Sequence, residues 1–248
     1  MEQKYAVCRI DIQEEDMDWK KDSSGRIDLE QIRMSMDLSN YIKAEMSMGA
    51  DAKLLFEDLQ GTLDHGIIVA RLARMVAEEL GESKEFCQDM ALAGFLHDVG
   101  KMRLGRYLYG RKKDMLGIEE MKYIRMHPEF SYEILKKMDY NDMILKAVYY
   151  HHENFDGSGY PDNLKEMEIP YGARILRICD VLAALVSERP YRSAFPVDTA
   201  IELLIEEARN YDLRIFLALQ RVLQGDGFTR LMPYILAANQ SVREKKTS

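Results

Sequence analysis

A chain of 248 residues, 47% hydrophobic and 31% charged, has the make-up of one well-packed globular domain of about 180 to 200 residues with a modest appendage, and excludes collagen-like, low-complexity and disulfide-rich classes. The net charge of −8 offers no basic field to duplex nucleic acid, so an anionic ligand must be met by a local cluster of cations, and long nucleic acid is not expected as a partner. Cys8, Cys87 and Cys179 form no C-x-x-C pair and indicate a reducing compartment; with no run of about 18 uncharged apolar residues and no charged-then-apolar leader after Met1, the expectation is a cytoplasmic protein without a membrane segment.

Residues 1–50 read as a small N-terminal extension. Residues 5–12 suit a short strand, Asp22-Ser23-Ser24-Gly25 a turn, and Asp28 with Gln31 a capping pair for a helix carrying Leu29, Ile32, Met36 and Tyr41. This is too short for a separate sensory domain and reads as a packing or dimer arm, which admits a homodimer or a signalling partner. From Leu54 onward a 3.6-residue period takes over, and residues 51–240 read as one helical bundle. Ile68, Leu72, Met75, Val76 and Leu80 share one face of a helix that Gly81 can end, and Phe86, Met90, Ala93 and Leu96 continue the pattern in the next. The spacing predicts further helices over 123–138, 141–151, 173–188, 199–209 and 213–223, with a Gly- and Pro-containing loop over 154–161. Residues 241–248, with Arg243, Glu244, Lys245 and Lys246, read as a solvated tail.

The chain has only five histidines, and they stand in company that a packed core does not call for: His97 beside Asp98, His151 beside His152, His127 between the two pairs, and His65 ahead of them. A His-Asp pair presents an imidazole and a carboxylate to one centre, and a carboxylate has two oxygens with which to bridge two cations, which makes Asp98 the candidate bridge. Gly100 would let the backbone approach a ligand, and Lys101, three residues after Asp98, is placed as a point-charge phosphate binder. Glu153 is read as an acceptor that orients a ligand histidine, in preference to an acid acting on a leaving group. Other patterns fail on spacing. Gly157-Ser158-Gly159 lacks the glycine a nucleophile elbow needs two residues before the serine, which leaves Ser158 as a turn residue, and Gly94 with Gly100, Lys101 and Met102 is not a P-loop. Glu202, Glu206 and Glu207 fall at the spacing of a solvated helix face.

His97-Asp98-Val99-Gly100-Lys101 resembles the H-D-[IV]-G-K signature of the HD phosphohydrolase superfamily. The run His151-His152-Glu153-Asn154-Phe155-Asp156-Gly157-Ser158-Gly159-Tyr160-Pro161 resembles the H-H-E-x-x-D-G-x-G-Y-P element of its HD-GYP branch, and the likeness extends from about His65 to about Leu223. The resemblance implies an all-α HD-domain bundle in which His65, His97, Asp98 and Asp180 hold one metal while Asp98, His127, His151 and His152 hold a second. Asp180 stands in Ile178-Cys179-Asp180-Val181, matching the family's late aspartate, and His127-Pro128-Glu129 matches its H-P element. Ser187-Glu188-Arg189-Pro190-Tyr191-Arg192 resembles the R-P-Y-[RK] segment, so Arg189 and Arg192, with Lys101, are implied to meet substrate phosphates. The chain departs from the family pattern at Asn154, where the family usually has Arg, and at Gly105, where it usually has Pro, with the 102–116 loop about one residue longer.

The expectation is therefore a metal-dependent phosphodiesterase acting on a small anionic nucleotide, cyclic di-GMP, with Asp98 and Lys101 as catalytic residues and a hydroxide shared by two divalent cations. Histidine and carboxylate ligands without cysteine suit Fe or Mn and admit Zn, Ni or Co. Two cations are expected rather than three, because Gly61 occupies the position four residues before His65 where some relatives carry a Glu. Two further readings of the same residues are a catalytically silent cyclic-dinucleotide-binding signalling module and a di-iron oxygenase of the HD type. Turnover separates the first from the enzyme, and oxygen dependence the second.

Overall fold

The regular elements are all helices, as the 3.6-residue period predicts, in a computed structural model that describes residues 52–108, 118–188 and 192–247. The strand, turn and capped helix expected within residues 1–50, and Arg189, lie outside the described residues. None of the described helices is long and apolar enough to cross a membrane.

The frame is set by α1 (Ala52–Glu79) and α2 (Lys84–Leu96), which pack against each other more extensively than any other pair of described helices. On α1, Ile68, Val69, Leu72, Ala73 and Val76 are fully buried at helical spacing, so one stripe of the helix drives the contact. Gly81 lies in the turn two residues past α1, and Ser83 caps α2 by accepting a hydrogen bond from the Phe86 amide at 3.1 Å. Next come α3 (Lys101–Leu108), α4 (Ile118–Ile124), α5 (His127–Lys137) and α6 (Asp142–Tyr149), the last capped by Asn141, whose carbonyl oxygen Oδ1 takes the Ile144 amide at 3.0 Å.

At the centre lies α7 (Tyr171–Val186), with Ala173, Ile175, Leu176, Ile178, Cys179, Leu182 and Ala183 all buried. A helix apolar on so much of its circumference can be stable only when surrounded, and α7 touches α1, α2, α6 and both α8 (Val197–Glu206) and α9 (Leu213–Gln224). An ion pair between Arg174 and Asp212, 2.5 Å apart, joins α7 to the cap of α9. Glu202, Glu206 and Glu207 are exposed, as a solvated face requires.

Several elements differ from the sequence expectation, α3 among them, which no predicted helix covers. The helix expected over 123–138 is two helices, α4 and α5, separated by a turn at Arg125 and Met126. Pro128, at the second position of α5, has no amide to continue an earlier helix but suits the start of a new one. The helix expected over 141–151 stops at Tyr149, leaving His151 and His152 in the turn beyond it. Finally, α10 (Gly227–Thr247) has no counterpart in the sequence reading, and residues 241–247, read as a tail, continue it as helix. Pro233 lies inside α10 and masks it from pattern reading. Burial outweighs that cost: Leu231, Ile235 and Ala238 face inward, and α10 packs on α1 and α9. Near its end the buried Asn239 accepts the Glu188 amide at 2.7 Å and donates to the Val186 carbonyl at 3.2 Å, which satisfies the end of α7.

Candidate metal centre

All seven residues singled out as metal ligands converge. His65 comes from the middle of α1 and Asp180 from the middle of α7, while the others occupy helix ends: His97 and Asp98 in the turn after α2, His127 as the first residue of α5, His151 and His152 just past α6. His65, His97, Asp98, His127 and His151 are buried, with His152 and Asp180 partly so.

The ligand atoms fall into two sets that share neighbours. His65 Nε2 lies 2.9 Å from Asp180 Oδ1, and His97 Nε2 lies 3.3 Å from Asp98 Oδ2 and 3.7 Å from Asp180 Oδ1. In the second set His127 Nε2 is 3.2 Å from His151 Nε2 and 3.1 Å from His152 Nε2, with Asp98 Oδ1 at 3.2 Å. Asp98 thus turns one oxygen to each set.

Their backbone surroundings fix which nitrogens face inward. The Nδ1–H groups of His97, His127 and His151 donate to the carbonyls of Gly94, Ile124 and Val148, at 2.7, 2.7 and 2.6 Å, each three residues earlier in the chain. A carbonyl can only accept, so Nδ1 carries the proton and Nε2 is left with a lone pair. His127 and His151 therefore aim two lone pairs at each other across 3.2 Å. At 3.2 Å from Asp98 Oδ1, His127 Nε2 is likewise close enough to bond, but neither atom has a hydrogen to give. His97 Nε2 and Asp98 Oδ1 are both buried without a hydrogen-bond partner. Converging lone pairs and anions of this kind are costly unless a cation sits among them.

Titration behaviour agrees. Burial pushes the imidazoles of His151 and His152 down, the latter to about 3, and lowers that of His65 against the pull of Asp180, so three ligands are neutral and ready to coordinate. Burial would also lower His97, but the charges of Asp98 and Asp180 outweigh it and raise its pKa to about 10, which marks the negative potential that the two carboxylates set up at this imidazole. Burial works against ionisation of Asp98 and Asp180 too, yet the imidazoles, and for Asp98 the Lys101 ammonium, hold both well below the usual carboxylate range.

Lys101 opens α3 and reaches back so that Nζ meets Asp98 Oδ2 at 2.5 Å, through the turn 97–100 rather than along a continuous helix. The glycine at position 100 has a packing role of its own. It packs on the start of α5, where an added Cβ would lie 2.3 Å from the His127 carbonyl oxygen and 2.5 Å from the Ser131 nitrogen. Ser131, which sequence reasoning missed, is buried there: its hydroxyl accepts the Gly100 amide and donates to the His97 carbonyl, both at 2.8 Å. Its signal was its place four residues after His127 on one face of α5.

The loop after the paired histidines is braced internally. Glu153 does not orient a histidine: its carboxylate accepts the Asp162 amide at 2.7 Å, and burial raises its pKa against those backbone donors. Asp156 takes both the Ser158 amide and hydroxyl, at 2.9 and 2.6 Å, which bears out Ser158 as a turn residue. At Gly159 a Cβ would meet the Asn154 nitrogen at 2.3 Å, so only glycine lets the loop fold back and bring the Tyr160 ring against His152, centroids 4.8 Å apart and nearly parallel. Arg125, from the turn between α4 and α5, lies over the Tyr160 ring at 5.2 Å.

Arg192, expected at substrate phosphate, is engaged elsewhere. Its guanidinium donates to the carbonyls of Ala184, Leu185 and Ser193 and lies over Phe195, so it closes the C-terminal end of α7.

The family described as HD domain matches residues 46–215. The chain is 37% identical over 156 residues to the cyclic di-GMP phosphodiesterase response regulator RpfG of Xanthomonas campestris, a match covering 62% of this chain and 41% of that protein. It is 36% identical over 148 residues to a cyclic di-GMP phosphodiesterase of Thermotoga maritima, covering 58% and 39%. To the 3'3'-cGAMP-specific phosphodiesterase 3 of Vibrio cholerae it is 31% identical over 173 residues, covering 68% and 37%. The matches thus span about two fifths of these relatives. Among solved structures, the fold is shared with Bd1817, an HDG"Y"P protein from Bdellovibrio bacteriovorus, at a TM-score of 0.54 and 19% identity, covering 79% of this chain and 60% of that one. It is shared also with the cyclic GMP-AMP phosphodiesterase V-cGAP3 of V. cholerae, at 0.54 and 14%, covering 77% and 52%.

Proposed function

Since the chain belongs to the HD domain family, in its HD-GYP branch, we propose that it is a metal-dependent phosphohydrolase that cleaves a cyclic dinucleotide, cyclic di-GMP, at a two-cation centre. The observation that carries this reading is the convergence of imidazole Nε2 lone pairs and the two sides of Asp98 on one buried point, next to the Lys101 ammonium. His65, His97, Asp98 and Asp180 would hold one divalent cation and Asp98, His127, His151 and His152 the other. When bound, such cations supply a Lewis acid for the phosphoryl oxygens and acidify water into a nucleophile. The chain's own residues do the rest. Carbonyls of Gly94, Ile124 and Val148 fix the tautomer of three ligands, and Ser131 keeps the Asp98 turn against His127. Lys101 sets a positive charge where a non-bridging phosphate oxygen gains charge in the transition state.

The test is turnover by the metal-reconstituted chain of cyclic di-GMP, cyclic GMP-AMP and an aryl phosphodiester, with and without oxygen. Hydrolysis of cyclic di-GMP in preference to the others, at the same rate without oxygen, is expected. Binding without turnover would make the chain a silent module, and turnover only with oxygen would overturn hydrolysis.

Lys101→Ala is expected to keep its metal and lose rate by about 10- to 1000-fold, the roughly 1.4 to 4 kcal/mol that one charge-stabilising group contributes. Steady-state kinetics with elemental analysis checks this. Loss of metal in that variant would move Lys101 from the reaction to the ligand shell.

A further inference from the structure

Arg177 is a charged group that the reading above leaves without a task. It lies on α7 three residues before Asp180, a spacing that puts both on neighbouring positions of one helix side. Its side chain is half-buried, and its Nε donates to Asn154 Oδ1 at 2.8 Å, two residues past the paired histidines. Among the described residues that is its one hydrogen bond, and no carboxylate lies within ion-pair distance of it. Tyr211 offers a ring face 6.0 Å away.

A half-buried guanidinium matched only by a neutral amide lacks a counter-charge, whereas Arg174, three residues earlier on α7, has Asp212. The position is not remote. Arg177 stands three residues before Asp180 on α7, and the Asn154 that it bonds lies two residues past His152, so the guanidinium is tied to the segments that carry two of the candidate ligands. With Nε held, the two terminal NH2 groups remain as a planar fork, the geometry that grips two oxygens of one phosphate. Asn154 is itself fixed, its Nδ2 donating to Ser158 Oγ at 2.9 Å, so it presents Oδ1 to Arg177 in a set direction. The chain carries Asn at a position where the family pattern has Arg, and here the cation arrives instead from the neighbouring helix.

We infer that Arg177, braced by Asn154, is a phosphate-binding residue of this site, and that it takes the phosphodiester of the cyclic dinucleotide lying across the ring from the one at the cations. This rests on the proposed function for the identity of the ligand, though not for the anion itself. A cyclic dinucleotide carries two phosphodiesters in one ring, so a cation beside the metal cluster and clear of it distinguishes such a ligand from a simple diester.

Two measurements on the full chain test this, neither requiring turnover. In the metal-free protein, cyclic di-GMP affinity by equilibrium dialysis should fall about 10- to 100-fold in Arg177→Ala, the loss expected for one charge-assisted contact, and recover in part in Arg177→Lys. Asn154→Ala, which removes the brace and leaves the cation, should lose less. Inorganic phosphate should raise the melting temperature of the wild-type chain more than that of Arg177→Ala. With metal restored, KM for cyclic di-GMP should rise in Arg177→Ala far more than kcat falls. If the wild-type chain neither binds nor cleaves cyclic di-GMP but phosphate still protects it through Arg177, the functional reading falls and the anion site stands. Equal nucleotide affinity and equal phosphate protection in the wild type and Arg177→Ala would overturn the inference, as would a melting temperature lowered alike in the alanine and lysine variants with no change in binding.

Discussion

Asp98→Ala is expected to reduce turnover by at least about 1000-fold and to lower bound metal at both positions, where loss of an ordinary ligand would empty only one. The reason is geometric. Asp98 is buried, its Oδ2 within 3.3 Å of His97 Nε2 and its Oδ1 within 3.2 Å of His127 Nε2, so it is the carboxylate that borders both imidazole sets. Removing it leaves Lys101 without the partner it meets at 2.5 Å and takes away one of the site's two carboxylates. At about 1.4 kcal/mol per factor of ten, a 1000-fold loss corresponds to about 4 kcal/mol, within reach of a single group that both coordinates and neutralises. Elemental analysis and steady-state kinetics on the same sample check it. The wild-type chain should hold two cations, Asp98→Asn should keep the shape and melting behaviour while losing metal, and near-wild-type activity with full metal in Asp98→Ala would sink the bridging assignment.

Gly100→Ala should be the most damaging single methyl in the site. The added Cβ would sit 2.3 Å from the His127 carbonyl oxygen and 2.5 Å from the Ser131 nitrogen, and both are backbone, so no flexible side chain can swing away. The turn carrying His97 and Asp98 has to separate from the start of α5, and the Gly100 amide loses the Ser131 hydroxyl it meets at 2.8 Å. Overpacking of this kind and a broken buried hydrogen bond together cost about 2 to 5 kcal/mol. Urea denaturation should show a lower midpoint with an unchanged slope, and metal affinity should drop because the two halves of the site move apart. An unchanged midpoint would mean that the turn and α5 are looser than their packing indicates.

The histidines and Asp98 stood out in the sequence because coordination chemistry demands particular residue types: five histidines, a His-Asp pair and a His-His pair narrow the choice before any fold is known, whereas Asp180 was reached only through the family resemblance. The helices were legible where one apolar stripe repeats cleanly, as in α1, and not where a local signal runs against tertiary packing. Pro233 hid α10, and the division between α4 and α5 falls at Arg125 and Met126, ahead of the Pro128 that signals it. The supporting residues were hidden for another reason. Ser131 and Arg177 matter through contacts with Gly100, His97 and Asn154, partners 23 to 34 residues away in the chain that spacing alone cannot supply. Glu153 and Gly100 have backbone contacts that spacing did not supply: Glu153 accepts the Asp162 amide, and Gly100 packs on the first turn of α5.

The acceptors behind His97, His127 and His151 are main-chain carbonyls, and this changes how the site stands up to genetic drift. An outer carboxylate is a second codon that a single substitution can spoil. A carbonyl comes with every amino acid, so whatever side chain replaces Ile124 or Val148, the histidine three residues on still finds the oxygen that sets its proton. The mutational target of the centre is thereby confined to the ligands and to the few residues, such as Gly100 and Ser131, that hold the helix ends in register. Substitution at Ile124 or Val148 is therefore limited by packing alone, while Gly94, whose added Cβ would lie 2.8 Å from Ala70 Cα, is held as glycine by its contact with α1.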